Sequence, residues 1–317
     1  MSDRQSILAW CEGGAINDVR AALRVSRVLP DGHDWRAFLD RLLLWSGAIA
    51  LAAAVVFFIA HNWQTLGKFG KFGLVQLPII AAVVAYWRLG PHSAAGKASL
   101  LVAAILIGAL LALFGQTYQT GADTWELFAT WAALIAPWVL IGRFAGMWIL
   151  WIALVDTAIV LYFQIFPGVF GVVFGTERLL WILFAFNTAA LVAWELAAAR
   201  IAWLAERWAP RLLVIASGAT ITLLMIQCIV DWQRQSGIVL LAYPASLGIA
   251  HVVYRLRKCD LLVLAGACLS LIIIVPTYLA KTMAKGDAPG GLLFIAIVVI
   301  AMAGASGWWL KHVARET

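Results

Sequence analysis

Ten largely apolar stretches, separated by short polar or charged connectors, run from Leu42 to Leu310. A helix needs about 20 residues to cross a hydrocarbon core of roughly 30 Å. The continuous apolar run at 42–60 lacks the in-and-out alternation of a membrane β-barrel strand. The pattern therefore predicts an all-α, polytopic integral membrane helical bundle of about ten transmembrane helices. The predicted spans are 42–60, 73–87, 98–114, 126–142, 147–166, 179–199, 212–230, 237–254, 261–279 and 290–310.

Composition agrees with a membrane location. Apolar residues make up 64% of the chain and charged residues 12%, against about 45–50% and about 25% in soluble domains. A water-soluble fold could not bury so much apolar surface. The lipid bilayer is accordingly the first predicted partner.

Residues 1–41 carry charges throughout and have no early apolar run, so they do not resemble a secretory signal. We expect a cytoplasmic helical N-terminal tail of two short helices, interrupted at Gly13 and Gly14, with Asn17 capping the second. Arg20, Arg24 and Arg27 share one face of that second helix and could lie on anionic lipid head groups. The alternative is a small helical hairpin that packs on the cytoplasmic ends of the bundle.

We expect the spanning helices to form two units. The first is a four-helix membrane unit with outer polar loops at 42–146, and the second is a six-helix membrane unit at 147–317. Orientation follows from the distribution of the 23 Lys and Arg residues. The N-terminus, every second connector and the C-terminus lie on one side of the predicted bundle, and this side holds 17 of the 23. By the positive-inside rule, both termini are expected in the cytoplasm of a bacterium, with the bundle in its inner membrane. This topology accounts for the net charge of +7 and requires no nucleic acid.

Two connectors on the outer side depart from ordinary solvating charges. They occupy 60–73 and 114–128, and their amides, phenol, carboxylate and aromatic ring suit a polar head group, a sugar or a partner's backbone. Gly115 and Gly121 are expected to allow turns there. The alternative is a rigid rim whose amides cap helix ends. The candidate partner- or ligand-binding residues are Asn62, Trp63, Gln116, Tyr118, Gln119 and Asp123.

Here the chain resembles a known family. The Asn62-Trp63 pair after the first span and GQTYQTGAD at 115–123 after the third are similar to motifs of a bacterial membrane-protein family, domain of unknown function 2157. The resemblance covers roughly residues 8–150. It implies membership of a membrane assembly, sometimes with a further multi-helix domain and a small extracytoplasmic partner. It supplies no activity and no catalytic residue.

Polar residues inside the fifth and sixth spans form a second departure. Asp156 and Asn187 each lie near the middle of a span, where an ionisable group is costly and generally faces the bundle or a wet cavity. We expect the two side chains to approach one another across one hairpin. The contact would be either a hydrogen bond that fixes helix packing or part of a proton or substrate relay. Glu195, nearer the cytoplasmic end, is expected to snorkel or to pair with Arg200.

Three classes of function remain. The first is a membrane-embedded scaffold or subunit that docks an extracytoplasmic or membrane protein partner through its outer loops. The alternative is a transporter or lipid-handling channel with a central polar site near Asp156. A membrane enzyme fits least, because the sequence contains no paired carboxylates, activated nucleophile, zinc-ligand spacing or phosphate-binding glycine loop. No catalytic residue, metal site or cofactor is predicted.

Overall fold

A computed structural model of the chain describes residues 3–15, 18–26, 32–62, 65–165, 176–231, 237–283 and 290–316. These residues form helices and turns and contain no strand. A 3₁₀ turn lies at Ala202–Leu204 and a π-helical segment at Val252–Arg257. The α-helices are α1 Asp3–Glu12, α2 Val19–Val25, α3 Gly32–His61, α4 Lys68–Leu89, α5 Ala94–Tyr118, α6 Thr124–Gly142, α7 Ala145–Ile165, α8 Thr176–Ala197, α9 Trp208–Val230, α10 Ile238–His251, α11 Leu261–Met283 and α12 Gly290–Glu316.

Within the described ranges, ten helices, α3 to α12, are long and apolar enough to cross a membrane, with α10 continued by the π-helical segment. The predicted all-α polytopic fold is thus confirmed, and the protein is membrane-embedded. Most helices extend beyond the predicted spans. Helix α3 begins at Gly32 rather than at 42, and α5 reaches Tyr118 rather than 114.

The N-terminal segment forms two short helices that pack on each other. Ile7 of α1 and Leu23 of α2 are buried. Gly14 adopts a positive φ of 72° just after α1, as expected of a helix-ending glycine. Asp18 caps α2, accepting a hydrogen bond from the Ala21 amide at 3.0 Å. The residue predicted as the cap, Asn17, lies outside the described residues.

The chain divides into two compact units, Met1–Ile165 and Phe166–Thr317. In the first, α5 is the most buried spanning helix and packs against α3, α4 and α6. Leu100 on α5, Ile135 on α6 and Met147 on α7 belong to one buried cluster. Since α7 packs against α6, it belongs to this first unit. The predicted division of the membrane region into 42–146 and 147–317 stays a prediction.

The second unit is organised around α9, which packs against α8, α10 and α11. Leu224 of α9, Val239 and Tyr243 of α10 and Ile274 of α11 form its main buried cluster. Helix α12 packs on α11, and Val313 is buried in a second cluster with Tyr254. Most other large apolar side chains of α12, such as Leu292 and Ile300, are exposed. Such surface is stable only against acyl chains or another apolar partner.

Candidate functional site

The first candidate residue, Asn62, completes the end of α3. Its side-chain amide donates to the Phe58 carbonyl at 2.9 Å, and its own carbonyl accepts from the amides of Thr65 and Leu66 at 3.1 and 3.0 Å. The residue therefore ends one helix and closes the turn that follows. Trp63 lies outside the described residues.

The second outer connector is shorter than the sequence predicted. Gly115, Gln116 and Tyr118 belong to the last turn of α5, so Gly115 is helical and forms no turn. The chain turns instead at Gln119, with φ 47° and ψ 50°, and at Gly121, with φ 65°. A left-handed residue just after the last helical position is a common way to end a helix.

The remaining candidate residues differ in their degree of exposure. Gln116, Tyr118 and Gln119 are exposed, while Asp123 is partly buried. Asp123 occupies the N-cap position of α6, but its carboxylate makes no capping hydrogen bond. The side-chain amides of Gln116 and Gln119 form no hydrogen bond with the described residues. The α5 end thus presents donors and acceptors, whereas Asn62 uses its own locally.

Apolar packing holds the ends of α3, α4 and α5 together. Ile59, Val75 and Leu113, one from each helix, form a buried cluster. The Tyr118 ring lies 6.1 Å from Phe72 of α4. Because Ile59 is three residues before Asn62 and Leu113 six before Gln119, both connectors emerge at the same end of the unit. The order of the two hairpins along the sequence also predicts that the connectors touch, and this contact stays a prediction.

A groove opens between these three helices. Its volume is about 160 Å³. The walls include Ile59 and Ala60 from α3, Val75 from α4, and Ala109 and Ala112 from α5, with Gln116 supplying a polar group. Exposed amides and a neighbouring apolar groove therefore lie together on one part of the molecule.

The predicted intramembrane pair falls in two different units. Asp156 lies in the middle of α7, is partly buried and makes an interaction within the protein. Asn187 lies in α8, is 2% exposed and donates through Nδ2 to the Leu183 carbonyl at 3.0 Å. Since Asp156 belongs to the first unit and Asn187 to the second, their approach stays a prediction.

An ionic cluster that the sequence did not predict lies at one end of the second unit. We define it as Glu195, Arg207, Arg211, Lys258 and Asp260. Arg207 bridges the two acids, with Nη1 3.2 Å from Glu195 Oε1 and Nη2 3.2 Å from Asp260 Oδ2. Lys258 also pairs with Glu195, and Arg211 Nε lies 3.0 Å from Asp260 Oδ2. The described ion-pair partners of Glu195 are thus Arg207 and Lys258 rather than the predicted Arg200.

Asp260 is the most buried member of the cluster, with 2% of its side chain exposed. Its Oδ1 also accepts from the Leu262 amide at 3.2 Å, which caps the start of α11. Burial by itself raises the pKa of this carboxyl, but the hydrogen bonds and charges of Arg211 and Arg207 outweigh burial and hold the pKa below its ordinary value. The only sequence signal was an acid immediately before a span.

Buried hydroxyl groups connect the helices of the second unit. Thr188 of α8 and Ser217 of α9 are hydrogen-bonded at 2.7 Å. Ser270 of α11 is bonded to Thr222 of α9 at 2.7 Å and to the Tyr243 hydroxyl of α10 at 2.8 Å. Such bonds stabilise helix association where apolar contact with lipid competes with apolar contact between helices.

No group of three or more His, Cys, Asp or Glu side chains that could hold a metal ion occurs among the residues the structure describes.

No curated protein and no solved structure matches the chain. A family model does match, over residues 8–148, and its description is a predicted membrane protein. The resemblance expected from Asn62-Trp63 and GQTYQTGAD is thereby confirmed over that range: residues 8–148 of this membrane protein match the model of the DUF2157 family.

Proposed function

We propose that this protein is a membrane-embedded scaffold or subunit that docks a partner protein through the outer end of its first unit. The observation that carries the proposal is the contrast between Asn62 and the end of α5. Asn62 is bonded within its own turn, while Gln116, Tyr118 and Gln119 are exposed. Capping two helix ends does not require these additional amides, so they are available to a partner's backbone.

Apolar packing at this end supports a docking role. Ile59, Val75 and Leu113 pack together directly beneath the two connectors. Groups held by a packed core lose little conformational entropy when a partner binds, and this lowers the cost of association. The Tyr118 ring, which contacts Phe72 and is 56% exposed, offers an aromatic anchor of the kind enriched in protein interfaces.

We further propose that both termini lie in the cytoplasm and that the membrane is the bacterial inner membrane. Support comes from the grouping of cationic helix ends within the second unit. In the second unit the ionic cluster joins the last turn of α8, the start of α9, the end of α10 and the start of α11. Arg255 pairs with Glu316, which brings the end of α12 to the same side. A positive-inside arrangement predicts this side to be cytoplasmic.

The docking proposal can be tested with a photo-crosslinking amino acid at Thr120, an exposed connector residue. In native membranes we expect a discrete crosslinked protein from Thr120. The same amino acid at Leu77, which is 67% exposed on α4, should give lipid adducts alone. A lack of any protein adduct at Thr120 would contradict the proposal.

Substitutions separate docking from a structural rim. The double variant Gln119→Ala with Asp123→Ala should lose the crosslinked protein while its melting temperature stays unchanged. Asn62→Ala removes a described capping bond and should lower the melting temperature while it keeps the crosslink. If the double variant instead melts earlier and still crosslinks, these residues only hold the helix ends together.

A further inference from the structure

The groove in the first unit lies among helices whose outer surfaces face acyl chains. Its described walls are apolar except for Gln116, and its volume is about 160 Å³. Water needs two to four polar partners, and these walls offer it few, so an apolar group is the better occupant of the groove. One of its lining residues, Val56, is 42% exposed on the spanning helix α3, so the groove borders surface that contacts acyl chains, and we infer that an acyl chain can reach it.

The polar groups beside the groove follow a definite order along the membrane normal. Leu113 and Val75 pack together. Gln116 comes three residues after Leu113, about 4.5 Å further along the helix at 1.5 Å per residue. Lys68 comes seven residues before Val75, about 10.5 Å away, and a spacing of seven returns to the same helix face.

These two displacements point in the same direction. Helices α4 and α5 run antiparallel, since only a short turn at Gly90–Ser93 separates them. Moving backward along α4 and forward along α5 therefore leads to the same end of the unit. From the groove outward, the order is apolar wall, amide and then ammonium group, which matches acyl chain, ester linkage and phosphate in a glycerophospholipid.

Charge around the groove favours an anionic head group. In the described residues 59–62, 65–75 and 109–120, the basic lysine and arginine residues are Lys68 and Lys71, and there is no aspartate or glutamate. Lys68 is exposed. The Tyr118 ring, with Phe114 at 4.8 Å and Phe72 at 6.1 Å, stands at the same end. Amphipathic rings at this depth are typical of the head-group region.

We propose that this groove is a binding site for an anionic glycerophospholipid, with one acyl chain against Ala109 and Ala112, its ester region at Gln116 and its phosphate at Lys68. The groove shares Gln116 with the docking surface proposed above, but its other walls are apolar residues of α3, α4 and α5. The docking residues Gln119, Thr120 and Asp123 lie beyond the end of α5, so the two proposals are tested separately.

Native mass spectrometry of the purified full chain, titrated with phosphatidylglycerol or phosphatidylethanolamine, tests the site. The wild-type protein should retain one phosphatidylglycerol in preference to phosphatidylethanolamine. Ala112→Phe fills the groove and should lose this lipid. Ala81→Phe, the same change at an exposed position of α4 outside the groove, should retain it. Equal binding by Ala112→Phe and the wild type, or equal loss by both variants, would overturn the proposal.

The head-group contact is tested separately. Lys68→Gln should weaken phosphatidylglycerol binding about fivefold, the equivalent of about 1 kcal/mol for one basic residue near a lipid head group. It should weaken phosphatidylethanolamine binding less, because the ammonium group of that lipid already offsets the charge of its phosphate. Lys311→Gln is the matched control. It removes the same charge near the C-terminal end of α12, in the second unit, and should have no effect. An unchanged lipid preference in Lys68→Gln would overturn the proposal. If Ala112→Phe fails to fold, Lys68→Gln and Gln116→Leu decide the question, since Gln116→Leu should weaken retention of both lipids.

Discussion

The indole ring of Trp131 on α6 lies so close to Gly108 on α5 that a Cβ atom on Gly108 would come within 2.6 Å of the ring. The indole Nε1–H donates to the Ala104 carbonyl on α5 at 2.7 Å. The next helix repeats the contact, since Trp151 of α7 donates to the Ala132 carbonyl of α6 at 3.0 Å. Two tryptophans thus join three consecutive helices through backbone carbonyls.

Gly108→Ala should therefore destabilise the first unit. The new methyl group must displace the indole ring, and overpacking of this kind costs about 1–3 kcal/mol. Gly47→Ala is a matched control, because nothing lies within 4 Å of the added Cβ on α3. We expect a lower melting temperature in detergent for Gly108→Ala and an unchanged or higher one for Gly47→Ala. Equal melting temperatures for the two variants would contradict this packing.

Ser270→Ala should loosen the second unit, because one hydroxyl is bonded to both Thr222 and Tyr243. Hydrogen bonds between membrane helices contribute about 0.6–2 kcal/mol each. Thr277→Ala serves as control, since the Thr277 hydroxyl bonds the Ile273 carbonyl of its own helix. Unfolding by a denaturing detergent should begin earlier for Ser270→Ala than for Thr277→Ala. A larger effect from Thr277→Ala would argue against a structural role for the hydroxyl network.

Asp260 should make stability depend on acid pH. Its folded-state pKa is lowered by Arg211 and Arg207 despite burial, so its stabilising contribution is present above the unfolded pKa of about 3.9 and is lost as the pH falls through the lower, folded value. Asp260→Asn should reduce stability at pH 7 by about 1.5–3 kcal/mol, the range for hydrogen bonds to charged groups.

The pH profile provides the sharper measurement. Melting temperature recorded between pH 7 and pH 3 should fall less steeply for Asp260→Asn than for the wild type. Glu316→Gln is the control, because its pair with Arg255 is much more exposed and such pairs contribute at most about 1 kcal/mol. Identical acid profiles for the wild type and Asp260→Asn would mean that another group dominates acid unfolding.

The proposed topology predicts the accessibility of single cysteines introduced after the four native ones are replaced. Ala122→Cys, exposed in the outer connector, should react with a membrane-impermeant maleimide on intact cells. Lys311→Cys, exposed near the end of α12, should react only after permeabilisation. Reaction of Ala122→Cys exclusively from the cytoplasmic side would reverse the assignment.

The helices could be predicted more readily than the candidate site. Of the outer residues, Asn62 is a helix cap, as one of the two interpretations allowed, but Gln116 and Tyr118 lie in a helix that continues past its predicted end. Polar residues such as glutamine, threonine and tyrosine are compatible with a helix once it leaves the hydrocarbon. Hydropathy therefore marks where the apolar segment stops and does not mark where the helix stops.

The sequence by itself determined the number and placement of the spanning helices, because the hydrocarbon thickness demands length and apolarity, which are properties of each segment alone. Only the tertiary structure decided which polar groups meet. Arg207 and Asp260 are separated by 53 residues, and Ser270 joins two other helices. Such contacts depend on how each helix is rotated about its axis, and in a bilayer that rotation is selected by small and polar side chains against many apolar alternatives of similar energy.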